Sequence, residues 1–221
     1  MSPDTRYAEL IDGPSGHALI QVNADGENAI VIVGGANQHM GADDIARVLA
    51  DFGQSDYLLV QNEINAVPEI MQAAKKRGLT IAFNPAPMTA EVAGYPLELV
   101  DELIVNELEA SAFTSECEPQ KIFDVVRQRC PGITLILTLG SKGAAYFSPQ
   151  LRFVQPAQSV KVVDSTGAGD TAIGFYLAER IRTKDPRRAL ALSSAASALA
   201  VTRRGAADSI PSRREVESLM T

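Results

Sequence analysis

Residues 57–83 read YLLVQNEINAVPEIMQAAKKRGLTIAF, and this stretch decides the fold class. Tyr57-Leu-Leu-Val60 is a short apolar run, which is typical of a strand buried on both faces. Residues 64–77 have apolar side chains at helical spacing and stop at Gly78, and Leu79-Thr-Ile-Ala-Phe83 is a second apolar run. The order strand, helix, strand predicts a βαβ unit with parallel strands.

The same alternation continues on both sides of this unit. Further strands are predicted at 103–105 and 133–138, and short β segments between 144 and 163. Helices are predicted over 42–52, from about 107, over 120–130, 171–182 and 187–203, and after Ser212, where Glu215 completes a capping box. A hairpin of 17–23 and 29–33, turning at Asp25-Gly26, precedes them. We expect one domain, residues 1–221, whose ligands bind at the carboxyl ends of parallel strands.

Composition limits the possible functions. The 221 residues carry 20 basic and 27 acidic side chains, a net charge of −7, which argues against a nucleic-acid or membrane-surface binder. Cys117 and Cys130 fit neither a disulfide framework nor a metal pair. No apolar run reaches the roughly 18–20 residues of a membrane span, and no apolar signal core is found at the start of the chain. A cytoplasmic protein is expected.

The motif Asp164-Ser-Thr-Gly-Ala-Gly-Asp-Thr171 precedes a predicted helix. Gly167 and Gly169 flank Ala168, so backbone amides can approach an anion where the helix dipole favours one. A carboxylate in that turn, Asp170, suits proton removal from a hydroxyl while the amides stabilise a transferred phosphoryl group. The alternative is a glycine-rich helix start with an ordinary first-turn acid.

Residues 164–174 resemble the C-terminal signature of the ribokinase-like (PfkB) family of carbohydrate kinases. Segments 84–87, 105–109, 138–143 and 200–206 agree with this family in the same order, and the similarity runs from about Gly13 to about Glu215. The resemblance implies a three-layer α/β fold with a mostly parallel central sheet flanked by helices. It also implies that residues 13–36 form a lid hairpin and its return to the core sheet.

The resemblance implies ATP-dependent phosphoryl transfer to a sugar hydroxyl, with D-ribose as the expected sugar and D-ribose 5-phosphate and ADP as products. Asp170 would be the base and would contact the sugar, and the amides of Gly167, Ala168 and Gly169 would form the anion hole. Two alternatives stay open. One is another sugar or nucleoside kinase of this family, and the other is a nucleotide-binding remnant without catalysis.

The remaining site residues are also implied by the resemblance. The nucleotide would contact Asn106, Thr138, Leu139, Gly140, Ser141, Lys142, Gly143, Gly169, Asp170 and Ser194. Glu109 would act on Mg²⁺ through water, whereas without the neighbouring motifs Glu107 and Glu109 would be interpreted as a solvated first turn. A potassium ion would take mostly backbone ligands from Asp164, Thr166, Ala200, Arg203, Gly205 and Ser209. Asp164 could instead be a turn-forming residue, and Glu63, the expected sugar contact, could be a helix-capping acid.

The sequence departs from the family pattern before the hairpin. The family's first strands, a sugar-gripping Asp, a Gly-Gly-Lys-Gly-type loop and part of the lid sheet have no counterpart here. Residues 34–37, Gly-Gly-Ala-Asn, match a later turn of the family instead. We therefore expect a domain that is incomplete at its N-terminus, with an exposed sheet edge that invites a homodimer. The expected partners are a sugar and ATP.

Overall fold

The computed structural model describes residues 4–22 and 28–220. The predicted turn at Asp25-Gly26 lies outside the described residues. The chain divides into two compact units, Met1–Asp101 and Glu102–Thr221. Each unit is described separately below, and the expectation of a single domain stays a prediction.

The first unit contains a hairpin and a βαβ unit. Its elements are β1 (His17–Val22), β2 (Asn28–Val33), α1 (Ala42–Leu49), β3 (Tyr57–Gln61), α2 (Val67–Lys76) and β4 (Thr80–Asn84). Strands β1 and β2 pair antiparallel as a separate two-stranded sheet, with His17 opposite Val33. Strands β3 and β4 pair in parallel, with Tyr57 opposite Thr80, so the predicted βαβ unit is confirmed.

Two predicted helices are shorter than the sequence pattern suggested. Helix α1 ends at Leu49 rather than Phe52, because Phe52 N–H donates to the Leu49 carbonyl (3.1 Å) in a tighter turn. Helix α2 begins at Val67 rather than Ile64, because Ala66 adopts a left-handed conformation with φ 58° and ψ 24°. Apolar spacing alone does not show such a backbone reversal.

The second unit carries the remaining strands and helices. These are β5 (Glu102–Asn106), α3 (Glu107–Thr114), α4 (Pro119–Arg129), β6 (Thr134–Thr138), β7 (Ala144–Phe147), β8 (Arg152–Gln155), α5 (Ala168–Thr183), α6 (Pro186–Ala200) and α7 (Arg213–Leu219). Strands β5 and β6 pair in parallel, and β7 and β8 extend the sheet antiparallel. Residues 156–163, all described, contain no strand, so the predicted β segments end at Gln155.

Helix α6 packs closely against α5. Ala189, Ala195 and Ala196 of α6 are fully buried, as expected from the small side chains of this helix. Ser193 Oγ donates to the Ala172 carbonyl at 2.7 Å, and Ser197 Oγ donates to the Ala168 carbonyl at 3.3 Å. These hydrogen bonds fix the first turns of α5, where the glycine-rich motif lies.

The parallel strand pairs, their flanking helices and the separate hairpin confirm the predicted α/β class. The capping box at Ser212 and Glu215 is also confirmed. None of the helices within residues 4–22 and 28–220 combines the length and apolar character that a membrane span requires.

Candidate active site

The glycine-rich motif opens helix α5. Gly167 is the N-cap with φ +72°, a left-handed conformation that glycine adopts without strain. A Cβ atom at this position would lie 3.3 Å from Ala206 Cα. Thr171 N–H donates to the Gly167 carbonyl at 2.9 Å, which is the first hydrogen bond of the helix. The motif therefore presents first-turn amides at the end of a helix, as the sequence predicts.

Not all of these amides are in the same environment. Ala168 N–H donates to the Ser165 carbonyl at 3.2 Å, within the turn that precedes the helix. The N–H group of Gly169 belongs to the first turn of the helix, whose amides have no intrahelical acceptor. The role of the three predicted anion-hole amides stays a prediction.

Asp170 is the acidic residue in this first turn, and it is exposed. An exposed carboxylate beside helix N-terminal amides can accept a proton from a hydroxyl while the amides face an anion.

Asp164 joins two loops that lie 41 residues apart in sequence. Its Oδ1 accepts a hydrogen bond from Thr166 N–H at 2.9 Å, and its Oδ2 accepts one from Gly205 N–H at 3.0 Å. These backbone donors lower the pKa of Asp164 to about 2, so the carboxylate is ionised at neutral pH. The turn-forming alternative for Asp164 is thus observed, and the bond to Gly205 adds a second contact.

The predicted potassium ligands therefore belong to two loops joined by Asp164. The second loop begins after Ala200, the last residue of α6, whose carbonyl accepts from Arg203 N–H at 3.0 Å. Ser209 is fully buried, and its Oγ donates to the Ala206 carbonyl at 2.7 Å.

Glu215 fixes this second loop to helix α7. Its Oε1 accepts from Arg203 Nη2 at 2.6 Å, and its Oε2 accepts from Ser212 N–H and Oγ at 2.7 and 2.6 Å. The donors lower the pKa of Glu215 to about 2. Sequence reasoning found the capping partner three residues away but missed Arg203, because no local pattern signals a pair between a loop and a helix.

Most of the predicted nucleotide residues lie at the carboxyl ends of β5 and β6 or directly after them. Asn106 and Thr138 are opposite each other at the carboxyl ends of these parallel strands. After Thr138 the chain makes a tight turn, in which Leu139 N–H donates to the Gly143 carbonyl at 2.8 Å. Gly140 takes φ +54° inside this turn, and Ser141 and Lys142 are exposed at its tip.

Gly143 closes the turn against the end of β8. It has φ +104° and ψ −133°, and a Cβ atom there would lie 2.0 Å from the Gln155 carbonyl oxygen. Ser194 Oγ donates to the Pro156 carbonyl at 3.3 Å. The structure thus brings Gly143 and Ser194 against one segment, residues 155–157, although they are far apart in sequence.

Asn106 and Glu109 form a reciprocal capping box at the start of α3. Asn106 Oδ1 accepts from Glu109 N–H at 2.8 Å, and Glu109 Oε2 accepts from Asn106 N–H at 3.0 Å. Within the part of the chain that the structure describes, no group of three or more His, Cys, Asp or Glu side chains could hold a metal. Glu109 Oε2 is thus engaged within the capping box, and the expected role of Glu109 toward Mg²⁺ stays a prediction.

Glu63 lies in the first unit and is exposed. Helix α2 begins at Val67 with Ala66 as its N-cap, so the helix-capping alternative for Glu63 is wrong. Its backbone carbonyl accepts a hydrogen bond from Gln38 Nε2 at 3.3 Å. The expected sugar contact stays a prediction.

The chain is similar to several ribokinases. Ribokinase of Haemophilus influenzae is 34% identical over 209 residues, which are 91% of this chain and 67% of that protein. Ribokinase of Thermotoga maritima is a structural neighbour with a TM-score of 0.82 and 31% identity, covering 95% of this chain and 71% of the other. Arabidopsis thaliana ribokinase, solved in complex with ribose and ATP, has a TM-score of 0.80 and 31% identity, covering 95% and 70%.

The chain thus spans about two thirds of the length of these ribokinases. The model of the pfkB family of carbohydrate kinases matches residues 4–213, nearly the whole chain. The chain therefore belongs to the pfkB family of carbohydrate kinases.

Proposed function

We propose that this chain acts in the ATP-dependent phosphorylation of a sugar hydroxyl, with D-ribose as substrate and D-ribose 5-phosphate and ADP as products. One observation carries the proposal. The first turn of α5 combines the left-handed Gly167, amides at a helix N-terminus and the exposed Asp170 carboxylate. Similarity to ribokinases, one of them solved with ribose and ATP, supports the choice of substrates.

In this proposal Asp170 accepts the proton of the sugar hydroxyl as the hydroxyl oxygen attacks the γ-phosphorus of ATP. The amides at Gly167, Ala168 and Gly169 stabilise the charge on the transferred phosphoryl oxygens, and ADP leaves on the opposite side. Phosphoryl transfer depends mainly on positioning and electrostatic stabilisation. A base and an anion hole on one rigid helix supply both.

The nucleotide would occupy the loops that follow β5 and β6, with Asn106 near the phosphates and Ser194 near the adenine. Glu109, which orients Asn106, would act on Mg²⁺ through water. When bound, Mg²⁺ neutralises phosphate charge during the transfer. A cytoplasmic location and a homodimer, both expected from the sequence, remain part of this proposal.

The test is ADP release by the purified chain with ATP, Mg²⁺ and K⁺, with and without ribose, together with ATP binding measured by calorimetry. Asp170→Asn should reduce ribose-dependent turnover at least about 100-fold, because a positioned base contributes about 10²–10⁴ in rate. Its ATP affinity should stay within about twofold of the unaltered chain.

Asp43→Asn is the matched control, because Asp43 is also an exposed first-turn acid, in α1. It should leave both the ribose-dependent turnover and the ATP affinity unchanged. Asp170→Asn with normal turnover would refute the role of base. ATP binding without any turnover in the unaltered chain would instead support the alternative of nucleotide binding without catalysis.

We further propose that potassium binds between the two loops that Asp164 joins. The ionised Asp164 and nearby backbone carbonyls suit a weakly hydrated monovalent cation. Potassium chloride should raise the melting temperature of the chain relative to tetramethylammonium chloride, whose cation is too bulky for such a site. Asp164→Asn should remove most of this difference. An equal melting temperature in the two salts would count against the site.

A further inference from the structure

One ion pair connects the two loops of the candidate nucleotide site. Lys142 Nζ lies 3.2 Å from Glu107 Oε1, although the two residues are 35 positions apart. Glu107 is the first residue of α3 and directly follows β5, and Lys142 lies in the turn after β6. The two strands pair in parallel up to their carboxyl ends, at Asn106 and Thr138. The pair therefore spans the edge of the sheet where α/β folds bind their ligands.

The pair is loosely held. The Lys142 side chain is 74% exposed and the Glu107 side chain 45% exposed. Exposed ion pairs contribute little stability, so a stronger anion can displace the carboxylate from Lys142 at low cost. A lysine ammonium on a flexible stem is a point charge suited to a phosphate group.

Glu107 occupies a favourable position even without Lys142 as its partner. It lies in the first turn of α3, where the helix dipole favours a negative side chain. Exchanging the partner of Lys142 would therefore leave Glu107 in a favourable place. The first turn of α3 also carries Glu109, so without Lys142 this edge would present two carboxylates to an incoming anion.

We propose that Glu107 is a competing counterion that holds Lys142 until the phosphates of a nucleoside triphosphate replace it. Lys142 then contacts those phosphates, and Glu107 acts on nucleotide affinity mainly through Lys142. This inference rests on the proposed function, because it takes the nucleotide as the ligand of these loops. In this inference Glu107 lowers the affinity for nucleotide, whereas a binding residue would raise it.

The test is the affinity of the full chain for ATP, measured by calorimetry with and without Mg²⁺. Glu107→Gln removes the competitor and should tighten ATP binding about two- to fivefold, the range expected for an exposed ion pair. Lys142→Gln should weaken binding about fivefold or more, because a charge-assisted contact to phosphate is lost. In the Lys142→Gln background, Glu107→Gln should have less than about half its effect, counted as log affinity.

Glu118→Gln and Lys121→Gln are charge-matched controls. Glu118 and Lys121 form an exposed pair at 3.7 Å at the start of α4. This pair lies toward the amino end of β6, as three contacts show. Gln120, next to Lys121, bonds to Arg152 of β8. Arg152 pairs with Phe147 of β7, which pairs with Leu135 near the amino end of β6. The controls therefore change the same charges away from the carboxyl edge and should leave ATP affinity unchanged.

Any of the following three outcomes would overturn the inference. Weaker ATP binding by Glu107→Gln only with Mg²⁺ would mean that Glu107 serves the metal. Unchanged affinity in Glu107→Gln or Lys142→Gln, while the unaltered chain binds ATP, would overturn this inference alone. Failure of the unaltered chain to bind ATP would overturn the proposed function together with it. All four side chains are at least 45% exposed, so the variants should keep their melting temperatures within about 2 °C.

Discussion

The turn at Gly143 offers a test of how the nucleotide loop is held. Replacing Gly143 with alanine places a Cβ atom 2.0 Å from the Gln155 carbonyl oxygen and 2.6 Å from Ala157 N. Both neighbours are backbone atoms, so a side-chain rotation cannot relieve the contact. The backbone angles of φ +104° and ψ −133° are also unsuited to any residue with a Cβ atom.

The expected magnitude follows from these two effects. A sparsely populated backbone conformation costs about 1–3 kcal/mol, and the overlap with Gln155 adds to it. We expect a loss of about 3 kcal/mol in the free energy of unfolding. For a chain of this size each kcal/mol shifts the melting temperature by about 2–4 °C, so Gly143→Ala should melt about 6–12 °C lower.

Gly174→Ala provides a control with the same chemical change. Gly174 is exposed within α5, and a Cβ atom there meets no atom within 4 Å. Alanine is a better helix former than glycine by about 0.5–1 kcal/mol, so this variant should melt slightly higher than the unaltered chain. Thermal denaturation followed by circular dichroism measures both variants. If Gly143→Ala were as stable as Gly174→Ala, the close approach between Gly143 and Gln155 would be refuted.

Two further predictions concern Glu179, whose fully buried carboxylate accepts hydrogen bonds from Arg182, Arg188 and Arg213. Glu179→Gln should lower the free energy of unfolding at pH 7 by about 2 kcal/mol, because charge-assisted hydrogen bonds are lost while the half-exposed arginines stay solvated. Urea denaturation measures this change, and an unchanged free energy of unfolding would contradict the role of Glu179. The arginines lower the pKa of Glu179 from 4.5 to about 2, so its contribution is complete above about pH 4.5 and disappears as the pH falls toward 2. Stability measured across this range should therefore fall less steeply in Glu179→Gln than in the unaltered chain, and parallel curves would show that Glu179 does not titrate there.

Much of the secondary structure could be predicted because its signals are local. Strand β6 matches the predicted strand at residues 133–138 within one residue, since a short run of β-branched and leucine side chains favours a buried strand. The capping box at Ser212 was readable because both partners lie three residues apart. The start of α2 could not be predicted in this way, because the residue types around Ala66 do not indicate its left-handed conformation.

The candidate site also combines features that have local sequence signals with features that have none. The glycine-rich motif, the residues after β5 and β6 and the likeness to carbohydrate kinases were all visible in the sequence. The motif needs only neighbouring residues, because a helix N-terminus supplies its own amides. The sequence also left Asp164 and Glu63 with alternatives, and only the structure showed that Asp164 forms a turn and that Glu63 caps no helix.

The sequence by itself determined the α/β class, the order of the elements and the turn that carries Asp170. Only the tertiary structure decided which distant groups meet: Asp164 with Gly205, Glu107 with Lys142, and Glu179 with Arg188 and Arg213. The physical reason is the range of the forces involved. Propensity and capping act within one helical turn, whereas the partner of a charged side chain is set by how helices and loops pack. The sequence offers 20 basic side chains as partners for 27 acidic ones and does not say which of them meet.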